Sequence, residues 1–277
     1  MWWAIPQVVQ GCTRFPLQFR RRSENPVKAL VIAAGYATRL YPLTKNFPKP
    51  LLEVGGKTIL DHLVDQIETI EEVDEVFLVT NHKFFGHFQD WAQERLSESR
   101  QTHTGVGFEV IDDGTTSNKD RLGAVGDVQF SIDHRGIDDD LLVCAADNIL
   151  QFPLAALASR FRKNLAAHIC VREIVDPEDR KRRGIAVLGE NDRVVDFKEK
   201  PEAPKSHWGA PPLYLYPKDS LGRVAEYLKS GGTADAPGHL VEWLHRVEPV
   251  FAYRIEGSVL DIGNPESLAV ARAELGE

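Results

Sequence analysis

Short apolar runs alternate with helix-period segments along most of this chain. Lys28-Ala-Leu-Val-Ile-Ala-Ala34 ends at Gly35 and shows no polar face, the pattern of a strand buried on both sides. Thr58, with Asp61 three residues on, reads as a capping pair, and Ile59, Leu60, Leu63, Val64, Ile67 and Ile70 mark one face of the helix that follows. Residues 76–79 predict strand, 82–96 helix, 108–111 strand, 122–132 helix and 141–145 strand. Buried strands alternating with amphipathic helices imply a parallel sheet covered by helices on both faces.

The rhythm then changes. Residues 168–171 predict strand, while 184–188 and 194–198 flank Gly189-Glu-Asn-Asp192, a hairpin signal. Residues 214–216 and 250–255 predict strands, and 220–229 and 240–247 helices. No internal repeat is present, so one α/β domain with a mixed second half is expected over residues 27–277.

The first 26 residues stand apart. Arg14, Arg20, Arg21 and Arg22 against Glu24 give them +3, which leaves −11 of the chain's −8 for the remainder. They show no helix or strand period, and Trp2, Trp3 and Ile5 precede the arginines, the reverse of a secretory signal. The arginines and the scarcity of acid suit a transit peptide; the preferred expectation is a disordered extension, or one read from an upstream start codon. With 33 Lys and Arg against 41 Asp and Glu, the chain does not look built to coat nucleic acid or an anionic membrane. No apolar run reaches transmembrane length. Cys12, Cys144 and Cys170 form no CxxC pair, and the last two lie inside apolar runs. Buried, reduced thiols and a cytoplasmic location are the expectation.

The long loop after the first strand carries the chemistry. Residues 35–50 contain Arg39, Lys45 and Lys49 and no acid, inside an acidic protein. Ligands of doubly wound sheets bind beyond the carboxyl ends of strands, where this loop begins. Gly35 lets the backbone approach a ligand, and Thr38 and Arg39 offer donors to phosphate oxygens. Lys49, between Pro48 and Pro50, is expected to have extended backbone that presents its ammonium in place. Neither a GxGxxG fingerprint nor a Walker loop fits: Gly35 lacks both spacings, and Gly56-Lys57-Thr58 has Leu at position 51, so it reads as a turn and cap. The nine histidines form no HExxH spacing and no GxSxG elbow occurs, which leaves zinc-enzyme and hydrolase readings without support.

Ala33-Ala-Gly-Tyr-Ala-Thr-Arg-Leu-Tyr-Pro-Leu-Thr44, followed by Pro48-Lys-Pro-Leu-Leu52, resembles the signature of the sugar-phosphate nucleotidyltransferases. Asp147-Asn148, Gly184, Glu199-Lys-Pro201 and Asp261-Ile-Gly-Asn-Pro-Glu266 follow in the family's order. The resemblance implies a three-layer, Rossmann-like α/β fold with a mixed, mostly parallel central sheet. It also implies transfer of a nucleotidyl group from an NTP to a sugar 1-phosphate, with release of pyrophosphate and help from Mg²⁺. By the same resemblance, Arg39 would bind the departing pyrophosphate and Lys49 would stabilise charge on the α-phosphate. Ala33, Gly35, Thr38 and Gly123 would meet the nucleotide. Asn148, Gly184 and Glu199 would meet the sugar, Lys200 its phosphate, and Asp147 and Asp261 the metal.

Two departures stand out. Ala37 and Ala146 occupy places where the family usually has glycine. A left-handed backbone at Ala37 would cost about 1–2 kcal/mol, so an ordinary conformation is expected there. The glutamine that thymidylyl- and uridylyltransferases tend to set against the pyrimidine is absent, and Asp113, Thr115 and Asn118 lie in the polar loop near the expected base pocket. Base, sugar and oligomeric state stay open, a homo-oligomer included. Two other functions also stay open: transfer to a non-sugar phosphoalcohol such as phosphocholine, and a catalytically silent subunit that binds nucleotide sugar. No left-handed β-helix repeats follow the catalytic region, which speaks against the larger bifunctional relatives.

Overall fold

Val27–Ile32 (β1) has its side chains alternately on the two faces of a central strand. Ala29 and Val31 share one core with Leu63, Phe88 and Phe161, while Leu30 shares another with Val128, Tyr227 and Val241. A strand apolar on both faces therefore needs a helical layer on each, and it has them. In the computed structural model the described residues are 25–102 and 105–276, side chains of 99–102 excepted. The expected extension falls, but for its last two residues, outside them.

In chain order, β1 is followed by a small hairpin, Glu53–Val54 (β2) and Lys57–Thr58 (β3), then Ile59–Ile67 (α1) and Val73–Thr80 (β4). Phe85–Thr102 (α2), Gly107–Asp112 (β5), Ala124–Arg135 (α3) and Asp140–Ala145 (β6) complete the first half. Asn148–Leu150 (β7), Ala155–Phe161 (α4), Ala167–Glu173 (β8) and Pro177–Arg180 (α5) follow. Gly184–Leu188 (β9) and Val194–Glu199 (β10) form the expected hairpin, and Trp208–Ala210 (β11) and Leu213–Tyr216 (β12) return to the centre. Gly222–Lys229 (α6), Pro237–Leu244 (α7), Val250–Arg254 (β13), Val259–Asp261 (β14) and Pro265–Leu275 (α8) end the chain.

The ten-stranded sheet runs β10-β9-β11-β8-β12-β6-β1-β4-β5, with β13 beside β8. Strands β1, β4, β5, β6, β8, β9 and β13 run one way and β10, β11 and β12 the other, so the sheet is mixed and mostly parallel. Helices α1, α2 and α4 cover one face and α3, α6 and α7 the other. Cys144 and Cys170 are buried and free, and burial pushes both thiols up. The Lys57-Thr58 turn is the cap read from sequence: Thr58 Oγ1 accepts from the Asp61 amide at 3.0 Å and the Asp61 carboxylate accepts from the Thr58 amide at 3.2 Å.

A third, smaller core sits beneath the long loop. Leu40 of the loop, Ile149 of β7, Ile262 after β14 and Leu268 of α8 are buried together. This cluster ties three segments far apart in sequence to one point beyond the carboxyl end of β6.

Candidate active site

Strands β1, β4, β5 and β6 run parallel, so their carboxyl ends emerge on one side. A pocket of about 380 Å³ lies there, lined by Ala33, Gly35, Thr38, Arg39, Lys49, Gly123 and Asp147. A Cβ added at Gly35 would meet nothing within 4 Å, so the space over this backbone is open to a ligand. The loop's first turn is held from β4. Asn81, fully buried, donates from Nδ2 to the Ala34 carbonyl at 3.0 Å and accepts the Phe84 amide at 3.2 Å. No sequence motif marks Asn81; its role appears only once β4 lies beside β1.

Ala37 departs from expectation. It is left-handed, φ 46° and ψ 42°, and starts the 3-10 turn Thr38–Leu40. Its carbonyl accepts from the Leu40 amide at 3.0 Å and from Thr44 Oγ1 at 2.7 Å, and Leu40 is buried in the small core. Those interactions hold a conformation that costs about 1–2 kcal/mol for a residue with a Cβ. Ala37→Gly relieves that strain and gives back part of the gain as unfolded-chain entropy, about 0.4–1 kcal/mol. A net stabilisation of about 0.5–1 kcal/mol is expected by urea unfolding; a destabilised variant would show that the Ala37 methyl packs for more than its strain costs.

Lys49 also differs. Its backbone is not extended but opens the 3-10 turn Lys49–Leu51, and the extended residue is Pro48. Burial of Pro50 and Leu51, with the Leu51 amide bonded to the Pro48 carbonyl at 3.1 Å, outweighs the local preference before proline. The ammonium is nevertheless fixed. Lys49 Nζ donates to Asp147 Oδ2 and to the Ile262 carbonyl, both at 2.8 Å, with its side chain 12% exposed. Arg39 is exposed and has no ion pair among the described residues.

The β7–β14 ladder brings Asp147 and Asp261 to the same place. Asp261 pairs with Asn148, and the Ile262 amide donates to the Asp147 carbonyl at 3.0 Å. Asn148 Nδ2 donates to Asp147 Oδ1 at 2.7 Å. Burial and the charge of Asp147 push the Asp261 carboxyl up, against Arg183, Lys49 and Arg39, which pull it down.

Gly184, Glu199 and Lys200 lie in the second half of the sheet and do not line the 380 Å³ pocket. Glu199 and Gly184 are opposite one another on β10 and β9, and a Cβ on Gly184 would come within 2.9 Å of the Glu199 carboxylate. On Gly238 of α7 it would come within 1.9 Å. Both glycines thus make room for a buried carboxyl that burial pushes up. Lys200 is left-handed at φ 46°, its side chain 60% exposed and its Nζ 3.8 Å from Glu199. Arg183, next to Gly184, links the group to Asp261, which its Nη1 approaches at 3.5 Å.

Sequence reasoning missed Asp127. It sits in the first turn of α3 behind Gly123, a cap at φ 80°, and lines the pocket at 3% exposure. Its Oδ1 and Oδ2 of Asp113 are buried without a donor; the other Asp113 oxygen accepts from the amide and hydroxyl of Thr115, each at 2.7 Å. One proton held between the two acids satisfies both oxygens. Burial and the Asp113 charge push Asp127 up to about 8, from an ordinary 3.8. The folded chain then keeps a proton that the unfolded chain releases near pH 4, so this pair's contribution to stability falls from about pH 4 to pH 8. Asp127→Asn is expected to raise Tm at pH 8 by ~2–4 °C or more, with the gain shrinking toward pH 5. A gain independent of pH would exclude the shared proton.

The profile of the nucleotidyl transferase family matches residues 28–277. The chain belongs to that family. It is 28% identical over 256 residues to the UTP–glucose-1-phosphate uridylyltransferase AglF of Haloferax volcanii, covering 91% of this chain and 97% of that one. It is 26% identical over 247 residues to the bifunctional protein GlmU of Methanocaldococcus jannaschii, covering 89% of this chain; the chain spans about half, 54%, of that relative. Among solved structures, a UDP-glucose pyrophosphorylase complexed with UDP-glucose shares the fold at a TM-score of 0.75 and 19% identity, with 90% and 98% of the two chains covered. A UTP-bound UGPase from Acinetobacter baumannii does so at 0.71 and 19%, with 91% and 93% covered. No helix of the described residues is long and apolar enough to cross a membrane.

Proposed function

We propose that the protein transfers a nucleotidyl group from a nucleoside triphosphate to a sugar 1-phosphate, forming an NDP-sugar and releasing pyrophosphate. One observation carries the reading: a fixed ammonium, Lys49, and a free guanidinium, Arg39, share an open glycine-lined pocket with Asp147, beside Asp261. The likeness to AglF, a UTP–glucose-1-phosphate uridylyltransferase, supports the choice of sugar phosphate as acceptor.

The chemistry asks for position and charge rather than a covalent intermediate. Arg39 would take the departing pyrophosphate, and Lys49 the charge that grows on the α-phosphate. Ala33, Gly35, Thr38 and Gly123 would line the nucleotide; Asn148, Gly184 and Glu199 would meet sugar hydroxyls; Lys200 would take the acceptor's phosphate. Asp147 and Asp261 fit Mg²⁺, a hard cation commonly held by one or two carboxylates plus substrate phosphates. No group of three or more His, Cys, Asp or Glu that could hold a metal occurs among the described residues, so a site completed by substrate suits this pair. When bound, the cation would neutralise phosphate charge. Cys144 and Cys170, both unpaired, fit a reducing, cytoplasmic setting.

The test is a matrix of NTPs against sugar 1-phosphates and small phosphoalcohols with Mg²⁺, read by pyrophosphate release. Release is expected with a sugar 1-phosphate. Release only with phosphocholine would favour the phosphoalcohol reading, and binding of nucleotide sugar without turnover would favour the silent subunit.

A further inference from the structure

Each charged group of the two substrates above already has a cation, yet two arginines beside the acceptor residues are unassigned. Arg172 lies on β8 opposite Gly209 of β11, and β11 pairs onward with β9, which begins one residue after Arg183. The Arg183 carbonyl accepts the Lys200 amide at 3.1 Å, so this arginine is built into the turn that presents Lys200. Its guanidinium bonds Asp179 at 3.0 Å and lies 3.5 Å from Asp261. Arg172 is half-buried and has no side-chain hydrogen bond or ion pair among the described residues. Burial and the charge of Arg183 push its pKa down, with Asp179 and Asp261 acting the other way.

A partly desolvated guanidinium without a partner is costly, and a second one nearby adds to the cost. An anion beside Arg172, within reach of Arg183, offsets both the desolvation of Arg172 and its repulsion by Arg183. Lys49 is committed to Asp147, Arg39 faces the nucleotide pocket, and Lys200, 60% exposed and only loosely paired with Glu199, is free for one phosphate. Arg183 is already offset by Asp179 and Asp261, which leaves the guanidinium of Arg172 in excess of what a neutral sugar 1-phosphate needs. We propose that Arg172 and Arg183 form an anion subsite that selects an acceptor bearing a second acidic group, a carboxylate or a second phosphate, besides the phosphate that reacts. This rests on the sugar-phosphate reading. The planar guanidinium fork matches carboxylate and phosphate alike.

The test compares kcat/KM of the full chain, with Mg²⁺ and its best NTP, for glucose 1-phosphate, glucuronic acid 1-phosphate and glucose 1,6-bisphosphate. The last two place a carboxylate or a phosphate at the same carbon and so tell the two sources apart. One of them is expected to exceed glucose 1-phosphate by ~10–100-fold, the scale of a hydrogen bond to a charged group. Arg172→Gln, with Arg183→Gln as the second variant should the first not fold, should lower that acidic acceptor at least tenfold more than glucose 1-phosphate. Equal use of all three acceptors overturns the subsite. So does an Arg172→Gln loss that is the same for every acceptor, which would place the arginines on the shared phosphate. Turnover of no sugar 1-phosphate whatever would overturn the transfer reading and the subsite with it.

Discussion

Lys49→Ala is expected to lower turnover by ~10²–10³, the usual cost of removing one preorganised donor aimed at developing charge. The side chain is 12% exposed and held at 2.8 Å by both Asp147 and the Ile262 carbonyl, so it does not have to be ordered when substrate arrives. Its loss also leaves Asp147 and Asp261 with less positive charge between them, so a small fall in stability should accompany the loss of rate. Lys45→Ala is the matched control: Lys45 is exposed in the same loop and lines no part of the pocket. Pyrophosphate release gives the rates and circular dichroism checks the fold. If the two alanine variants lost rate equally, Lys49 would be no more than one basic residue in a basic loop.

Asp261→Asn is expected to lower turnover by a comparable ~10²–10³ at saturating Mg²⁺ while stability holds or rises. The two halves of that expectation have separate causes. Asp261, its side chain 41% exposed, is a carboxyl whose ionised form is disfavoured by partial desolvation and by the neighbouring Asp147, so neutralising it removes repulsion within the folded chain. A residue kept for architecture would show the opposite, a fall in Tm with the rate following it. Asp147→Asn should share the loss of rate without the gain in stability, because Asp147 Oδ2 is the partner of Lys49. Unaltered rate in either variant would remove that residue from the reaction centre.

The alternating half of the fold was legible because β1, β4 and β6 are buried on both faces and carry apolar runs of four or more residues, separated by helices with one apolar stripe. Trp208–Ala210 was not legible, since three residues carry too little pattern to mark a strand; α4, from Ala155, has no cap in its own sequence, and the Thr69 hydroxyl accepts from the Leu154 and Ala155 amides instead. Within the site, residues in sequence motifs were found and those set by tertiary pairing were not. Asn81 supports the loop only because β4 adjoins β1, and Asp127 becomes unusual only when α3 brings it to Asp113. Arg172 and Arg183 belong to no motif: one lies on β8 and the other just before β9, the two strands that flank β11. Ala37 and Lys49 went against local rules for one reason: buried Leu40, Pro50 and Leu51 set the turns around them.

Direct displacement by the acceptor is most directly tested by exchange of labelled pyrophosphate into the NTP, run with and without a sugar 1-phosphate. A site that only positions and neutralises should exchange label with acceptor present, yield the NDP-sugar by mass spectrometry, and show no exchange when acceptor is omitted. Rapid exchange without any acceptor would require a covalent nucleotidyl-enzyme and contradict the account.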